Sequence, residues 1–97
     1  RVDRDVPPYC LVEGHPGRIR GLNRVGLKRN RICEEEELKQ LQEVWSILFR
    51  SNSVLSESLN QATKKNLFSA PKHLCSFVRE SIQKGRRGLM PSIPVIN

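Results

Sequence analysis

The sequence predicts a mainly α fold, a small antiparallel helical bundle, and three observations predict it. Apolar residues recur at spacings of three and four across Leu38, Leu41, Val44, Trp45, Leu48 and Phe49, the stripe of an amphipathic helix. A second such stripe, Leu74, Phe77, Val78 and Ile82, follows the helix-opening "SAPK". Ninety-seven residues are also too few for more than one domain.

In chain order, residues 1–20 read as extended. "VPPY" sets a stiff approach, "YCLVE" suits a strand, and "GHPG" is a turn before "RIR". A two-stranded ribbon is marginal in water, so this segment is expected to be poorly ordered unless it packs on more sheet. A short helix is expected at 22–29, with Leu22, Val25 and Arg29 on one side. The long helix begins at "CEEEE", whose carboxylates favour the positive end of a helix dipole, with Cys33 at the N-cap, and it stops in "RSNS". A weaker helix spans about 54–65, with Leu55, Leu59 and Ala62 on one side. The last helix ends at Gly85, a C-cap residue. Trp45, Leu48, Phe49, Leu74, Phe77 and Val78 are the expected core. The closing "RRGLMPSIPVIN" is basic, then proline-spaced and apolar, and its last half dozen residues are expected to be mobile or docked on another subunit.

The formal charge of +7 is uneven: residues 1–31 carry eight basic and three acidic groups, 32–63 two and six, and 64–97 seven and one. Two basic ends flanking an acidic middle imply an acidic partner, such as nucleic acid, phosphate or an acidic protein. Cys10, Cys33 and Cys75 are odd in number and form no CxxC pattern, which points away from a disulfide framework or zinc site and towards a reducing, cytoplasmic setting. No apolar run approaches the ~20 residues of a membrane span. The sequence opens on Arg1 without an initiator Met or a signal-peptide core, as a piece of a longer chain would.

Neither histidine has a nucleophile or carboxylate at a spacing that predicts a triad or a metal site, so His15 reads as a turn residue and His73 as a helix-surface residue. The "EEEE" run reads as a solvated helix start. More informative is "GLNRVGLKRNR", residues 21–31, where Arg24, Lys28, Arg29 and Arg31 stand without an acid among them. It matches no RNA- or DNA-binding pattern, and no aromatic residue lies between residues 10 and 44 to stack a base. Asn23 and Arg29 lie within about two helical turns and can approach one phosphorylated ligand from a single helix.

The stretch "DVPPYCLVEGHPGRIRGLNRVGLKRN", the helix ending "LFRS" and the closing "RRGL", taken in order, resemble the C-terminal region of UDP-N-acetylglucosamine acyltransferases, the family that opens lipid A biosynthesis. The resemblance covers essentially the whole chain. It implies a helical domain that follows the last coil of a left-handed parallel β-helix, most of which lies outside this sequence. Residues 1–20 would be the end of the β-helix and exit segment, 21–90 the helical domain and 91–97 a tail.

The resemblance further implies a homotrimer that moves a 3-hydroxyacyl group from acyl carrier protein to the 3-hydroxyl of UDP-GlcNAc, with no cofactor, metal, nucleic acid or membrane span. The family's general base is a β-helix histidine that this chain lacks, so the chain alone is expected to be inactive. Carried over position by position, the substrate-contacting asparagine is Asn23 and the first phosphate-side arginine is Arg29. The second arginine position is Asn30, an acidic position is Val25, and the glycine that ends the short helix is Arg31. Asn30 is then expected to be the left-handed cap. Arg24, Lys28, Arg31, Arg86 and Arg87 are the expected acyl carrier protein surface. The competing reading is a free-standing basic module that binds nucleic acid or an acidic protein.

Overall fold

The structure is a computed structural model that describes residues 4–84 and 88–93. An antiparallel hairpin of β1 (Cys10–Glu13) and β2 (Arg18–Leu22) leads into α1 (Arg24–Arg29), α2 (Glu35–Arg50), α3 (Leu55–Ala62) and α4 (Ser69–Lys84). The mainly α expectation holds, with every predicted helix present. The core joins Leu41, Val44, Trp45 and Leu48 of α2 to Leu59 and Ala62 of α3 and to Leu74 and Val78 of α4. Phe49 is half-buried against this cluster.

One expected core position, Phe77, and one residue of the expected α4 stripe, Ile82, differ. Phe77 is only half-buried and lies outside the cluster, and Ile82 is 42% exposed. The inward face of α4 runs instead through Ala70, Leu74, Val78 and Ser81. Ser81 can take the last inward place because its hydroxyl donates to Asp5, which turns Ile82 about 100° outward.

The hairpin was expected to need more sheet, yet Ile19 of β2 is fully buried in the same core as the helices. What supplies the missing partner is the end of the chain. Asp5 and Leu89 form a parallel bridge, as do Ile19 and Ser92. Ile19 donates to Pro91 (2.8 Å) and accepts from Ile93 (2.9 Å). Residues 91–93 are therefore seated on β2 of their own chain, and the rest of the segment expected to be mobile or docked on another subunit, residues 94–97, lies outside the described residues. Gly85, the expected C-cap of α4, lies outside the described residues.

Arg50 ties the two parts together. Its guanidinium donates to the carbonyls of Ile93 (2.7 Å) and Arg20 (3.1 Å) and lies 4.9 Å from the centre of the Trp45 ring. Trp45 Nε1 has no hydrogen-bond partner among the described residues; the Cys10 thiol is the polar group facing it. Burial pushes that thiol up to about 11, with the facing indole pulling weakly the other way.

Candidate functional site

Asn23 is the N-cap of α1, its Oδ1 accepting from the Gly26 backbone at 3.0 Å. Its own N–H donates to the Tyr9 carbonyl at 2.7 Å, which anchors the start of α1 to the residue preceding β1. The asparagine side chain lies so closely across the first turn that a Cβ on residue 26 would stand 2.5 Å from Asn23 Nδ2. The spacing N-x-x-G is thus one unit: asparagine caps, and glycine leaves room for it. Capping uses the Asn23 oxygen, while its amide nitrogen has no partner among the described residues.

Only Leu27 of α1 is buried, and Val25 is 67% exposed. The expected stripe of Leu22, Val25 and Arg29 is therefore incorrect: Leu22 ends β2, and Val25 stands about 200° around the helix from the inward Leu27. At the other end of α1, Arg31 donates to Lys28 (3.2 Å) and Ile32 to Leu27 (3.1 Å), the bond pair of a Schellman cap. The left-handed residue of that cap is Arg31, with φ of 51°, and not Asn30, whose φ is −92°. Asn30 folds its Nδ2 back onto the Gly26 carbonyl at 3.0 Å. Cys33 is not the N-cap of α2. Glu34 is, and Cys33 sits half-buried against the core.

These ends divide the predicted site residues into two groups. Asn23, Arg29 and Asn30 belong to the caps and last turn of α1, and Arg29 is exposed with no ion-pair partner among the described residues. Arg24, Lys28 and Arg31 instead line two adjoining grooves between α1 and α2, of about 490 and 470 Å³. Glu34, Glu35 and Glu43 line the same grooves, so this basic surface is interleaved with carboxylates. Arg86 and Arg87 lie outside the described residues.

Sequence reasoning missed a polar junction beside this face. Tyr9, itself at φ of 68°, meets His73 at 3.0 Å between Oη and Nδ1, with the rings edge-on. Burial, then the neighbouring Cys33 and Glu37, raise the Tyr9 hydroxyl above its ordinary range. Glu37 accepts from the Ala70 backbone at 2.7 Å and caps α4. Burial, then Glu37, also raises the Cys33 thiol. Cys75 is raised by burial against the opposing pull of Arg79. All three cysteines are free and held towards the neutral thiol, a poor nucleophile. His15 is an exposed turn residue. Among the described residues no cluster of His, Cys, Asp and Glu is arranged to hold a metal ion, and no helix is long and apolar enough to cross a membrane.

Fold and site together define a class: a mainly α domain that presents a capped, basic helix beside a hairpin. The profile of a family described as UDP N-acetylglucosamine O-acyltransferase, domain 2, matches residues 5–90, and the chain belongs to that family. It is 38% identical over 92 residues to the acyl-acyl-carrier-protein–UDP-N-acetylglucosamine O-acyltransferase of Gloeothece citriformis, covering 94% of this chain and 33% of that protein. The Synechocystis enzyme of the same name is 34% identical with the same coverage. Among solved structures, the Arabidopsis UDP-N-acetylglucosamine acyltransferase superposes with a TM-score of 0.77 at 31% identity, covering 93% of this chain and 33% of that one. The Campylobacter jejuni enzyme gives 0.74 at 27% identity, covering 93% and 32%. The chain thus spans about a third of the length of the curated relatives it matches.

Proposed function

We propose that this chain is the C-terminal domain of a cytoplasmic, homotrimeric enzyme that transfers a 3-hydroxyacyl group from acyl carrier protein to the 3-hydroxyl of UDP-GlcNAc, the first step of lipid A biosynthesis. The domain supplies binding groups, and the general base comes from the β-helix two thirds. What carries the reading is the capped N-x-x-G helix directly after the hairpin. Its cap leaves the Asn23 amide nitrogen available as a donor, and its last turn leaves Arg29 exposed without an acid partner among the described residues. Arg29 serves as the charge-assisted donor to the diphosphate, and Asn23 orients the sugar nucleotide. Asn30 contributes less than an arginine would, because its amide already closes the helix end. Arg24, Lys28 and Arg31 steer acyl carrier protein, joined by Arg86 and Arg87, which lie outside the described residues.

A chimera with the first two thirds of the Gloeothece citriformis relative ahead of this chain tests the assignment. Arg29→Ala should weaken UDP-GlcNAc use by on the order of tenfold to a hundredfold, the equivalent of about 1.5–3 kcal/mol for one charged hydrogen bond. Lys28→Ala and Arg31→Ala should act on acyl carrier protein, with losses that fade as salt rises. Equal, salt-sensitive losses for all three variants would remove the specific role of Arg29. Turnover by the 97-residue chain alone would remove the division of labour between the two parts.

A further inference from the structure

A second basic concavity lies between the α3–α4 linker and α4, and it shares no lining residue with the α1 grooves. We propose that this cleft, of about 280 Å³ and lined by Lys65, Asn66, Lys72, Ser76 and Arg79, binds a small phosphate-bearing anion.

The cleft is framed by ordered contacts. Lys72, Ser76 and Arg79 stand at i, i+4 and i+7 of α4 and share one stripe of the helix. The opposite wall is the linker, pinned to α2 at three points. Gln40 donates to the Asn66 carbonyl (2.9 Å) and accepts from the Phe68 N–H (2.7 Å), and Glu43 pairs with Lys65 (3.1 Å).

Charge and donors are what the cleft has in excess. Among the described residues no carboxylate lines it, and only Lys65 of its basic side chains has an acid partner. Lys72 and Arg79 face the same space with none among the described residues, a like-charge arrangement that a bound anion relieves. The Ser76 hydroxyl and the Asn66 amide add neutral donors. Thr63, also at the rim, spends its hydroxyl proton on the Leu59 and Asn60 carbonyls. Arginine forks onto two oxygens of one group, and the lysines act as point charges. That set exceeds what the two oxygens of a carboxylate accept and suits the several terminal oxygens of a phosphate. The volume lies at the lower end of small-molecule sites, roughly 300–1,000 Å³, which limits the ligand to a phosphate or pyrophosphate with a small appended group.

The test is amide NMR of the 97-residue chain titrated with inorganic pyrophosphate against chloride at matched ionic strength. Saturable shifts centred on Asn66, Lys72 and Ser76 are expected. Lys72→Ala with Arg79→Ala should weaken binding tenfold or more, while Arg24→Ala with Lys28→Ala, an equal change in charge, should leave it within about twofold. Ser76→Ala, which removes no charge, should weaken it severalfold. Vesicles containing phosphatidic acid are tested in parallel. Vesicle binding that depends on Lys72 and Arg79, without a pyrophosphate response, would assign the phosphate to a lipid headgroup. Non-saturating shifts spread over every basic surface, equal losses from the two double variants, or no response to either probe would overturn the proposal.

Discussion

The side of the molecule built by α2, α3 and α4 closes on apolar side chains such as Leu41, Val44, Leu74 and Val78, all at most 1% exposed. The side built by the hairpin and residues 88–93 buries Ile19, Leu22 and Met90 but adds directed polar bonds: Asp5 to Gly88 and Met90, Ile19 to Pro91 and Ile93, and Arg50 to two carbonyls. Apolar burial is non-directional and leaves a periodic trace in the sequence. Backbone pairing between distant segments leaves none, because every residue type but proline carries the same N–H and C=O.

The largest effect expected from breaking this contrast is at Trp45, whose indole belongs to the apolar side. Trp45→Ala should cost about 3–5 kcal/mol in denaturant unfolding. If Trp45 fluorescence in the folded chain is fully quenched by a soluble quencher, its buried assignment is wrong. Arg50→Ala comes next, at about 2 kcal/mol, since it removes two charged hydrogen bonds and a cation–π contact at a half-buried site. Hydrogen exchange should then accelerate at Ile19 and Ile93 before it does in α4, and uniform acceleration would contradict the polar stitching. Arg50→Lys should restore less than half the loss, because an ammonium lacks the planar fork.

Smaller effects belong to the two ends of α1. Asn23→Ala should cost about 1 kcal/mol through the lost cap, and Asn23→Ser should recover most of it. In the chimera, Asn23→Ser restores the cap without the amide nitrogen. Recovered stability without recovered UDP-GlcNAc use would therefore separate the two roles of this side chain. Arg31→Gly should stabilise by about 1 kcal/mol, because glycine adopts the left-handed cap without steric cost. A lower denaturation midpoint would show that the Arg31 side chain contributes more than its backbone strain removes.

The helices were legible in the sequence because Leu38 to Leu48 and Leu74 to Val78 repeat at helical spacing, and the hairpin because "GHPG" separates two short extended runs. Arg50 lies at the end of α2, beyond the Leu38 to Leu48 repeat. Its importance depends on carbonyls 30 and 43 positions away in sequence, which no local pattern reports. In the candidate site, the family resemblance marked Asn23, but the left-handed cap falls on Arg31 and not on the expected Asn30. Asparagine tolerates the left-handed region better than arginine, yet the bonds of Ile32 to Leu27 and Arg31 to Lys28 fix which residue must occupy it. Of the carboxylates facing Arg24, Lys28 and Arg31, Glu34 and Glu35 were visible as a helix start, whereas Glu43 lies in the middle of α2. Their place across a groove from the basic helix required the tertiary fold.

The pairing of Asp5 with the far end of the chain sets an order of events. Two of its partners, Gly88 and Met90, follow every helix-forming segment of this sequence in chain order, and the third, Ser81, lies in the last of those segments. The helices can collapse on local contacts while the first segment still lacks its strand. Closing a loop of this length carries an entropic cost that grows only slowly with further length, so what delays the strap is the arrival of its partner. Until residues 91–93 pair with it, the outer edge of Ile19 has no strand neighbour among the described residues, and the hairpin carries an open edge.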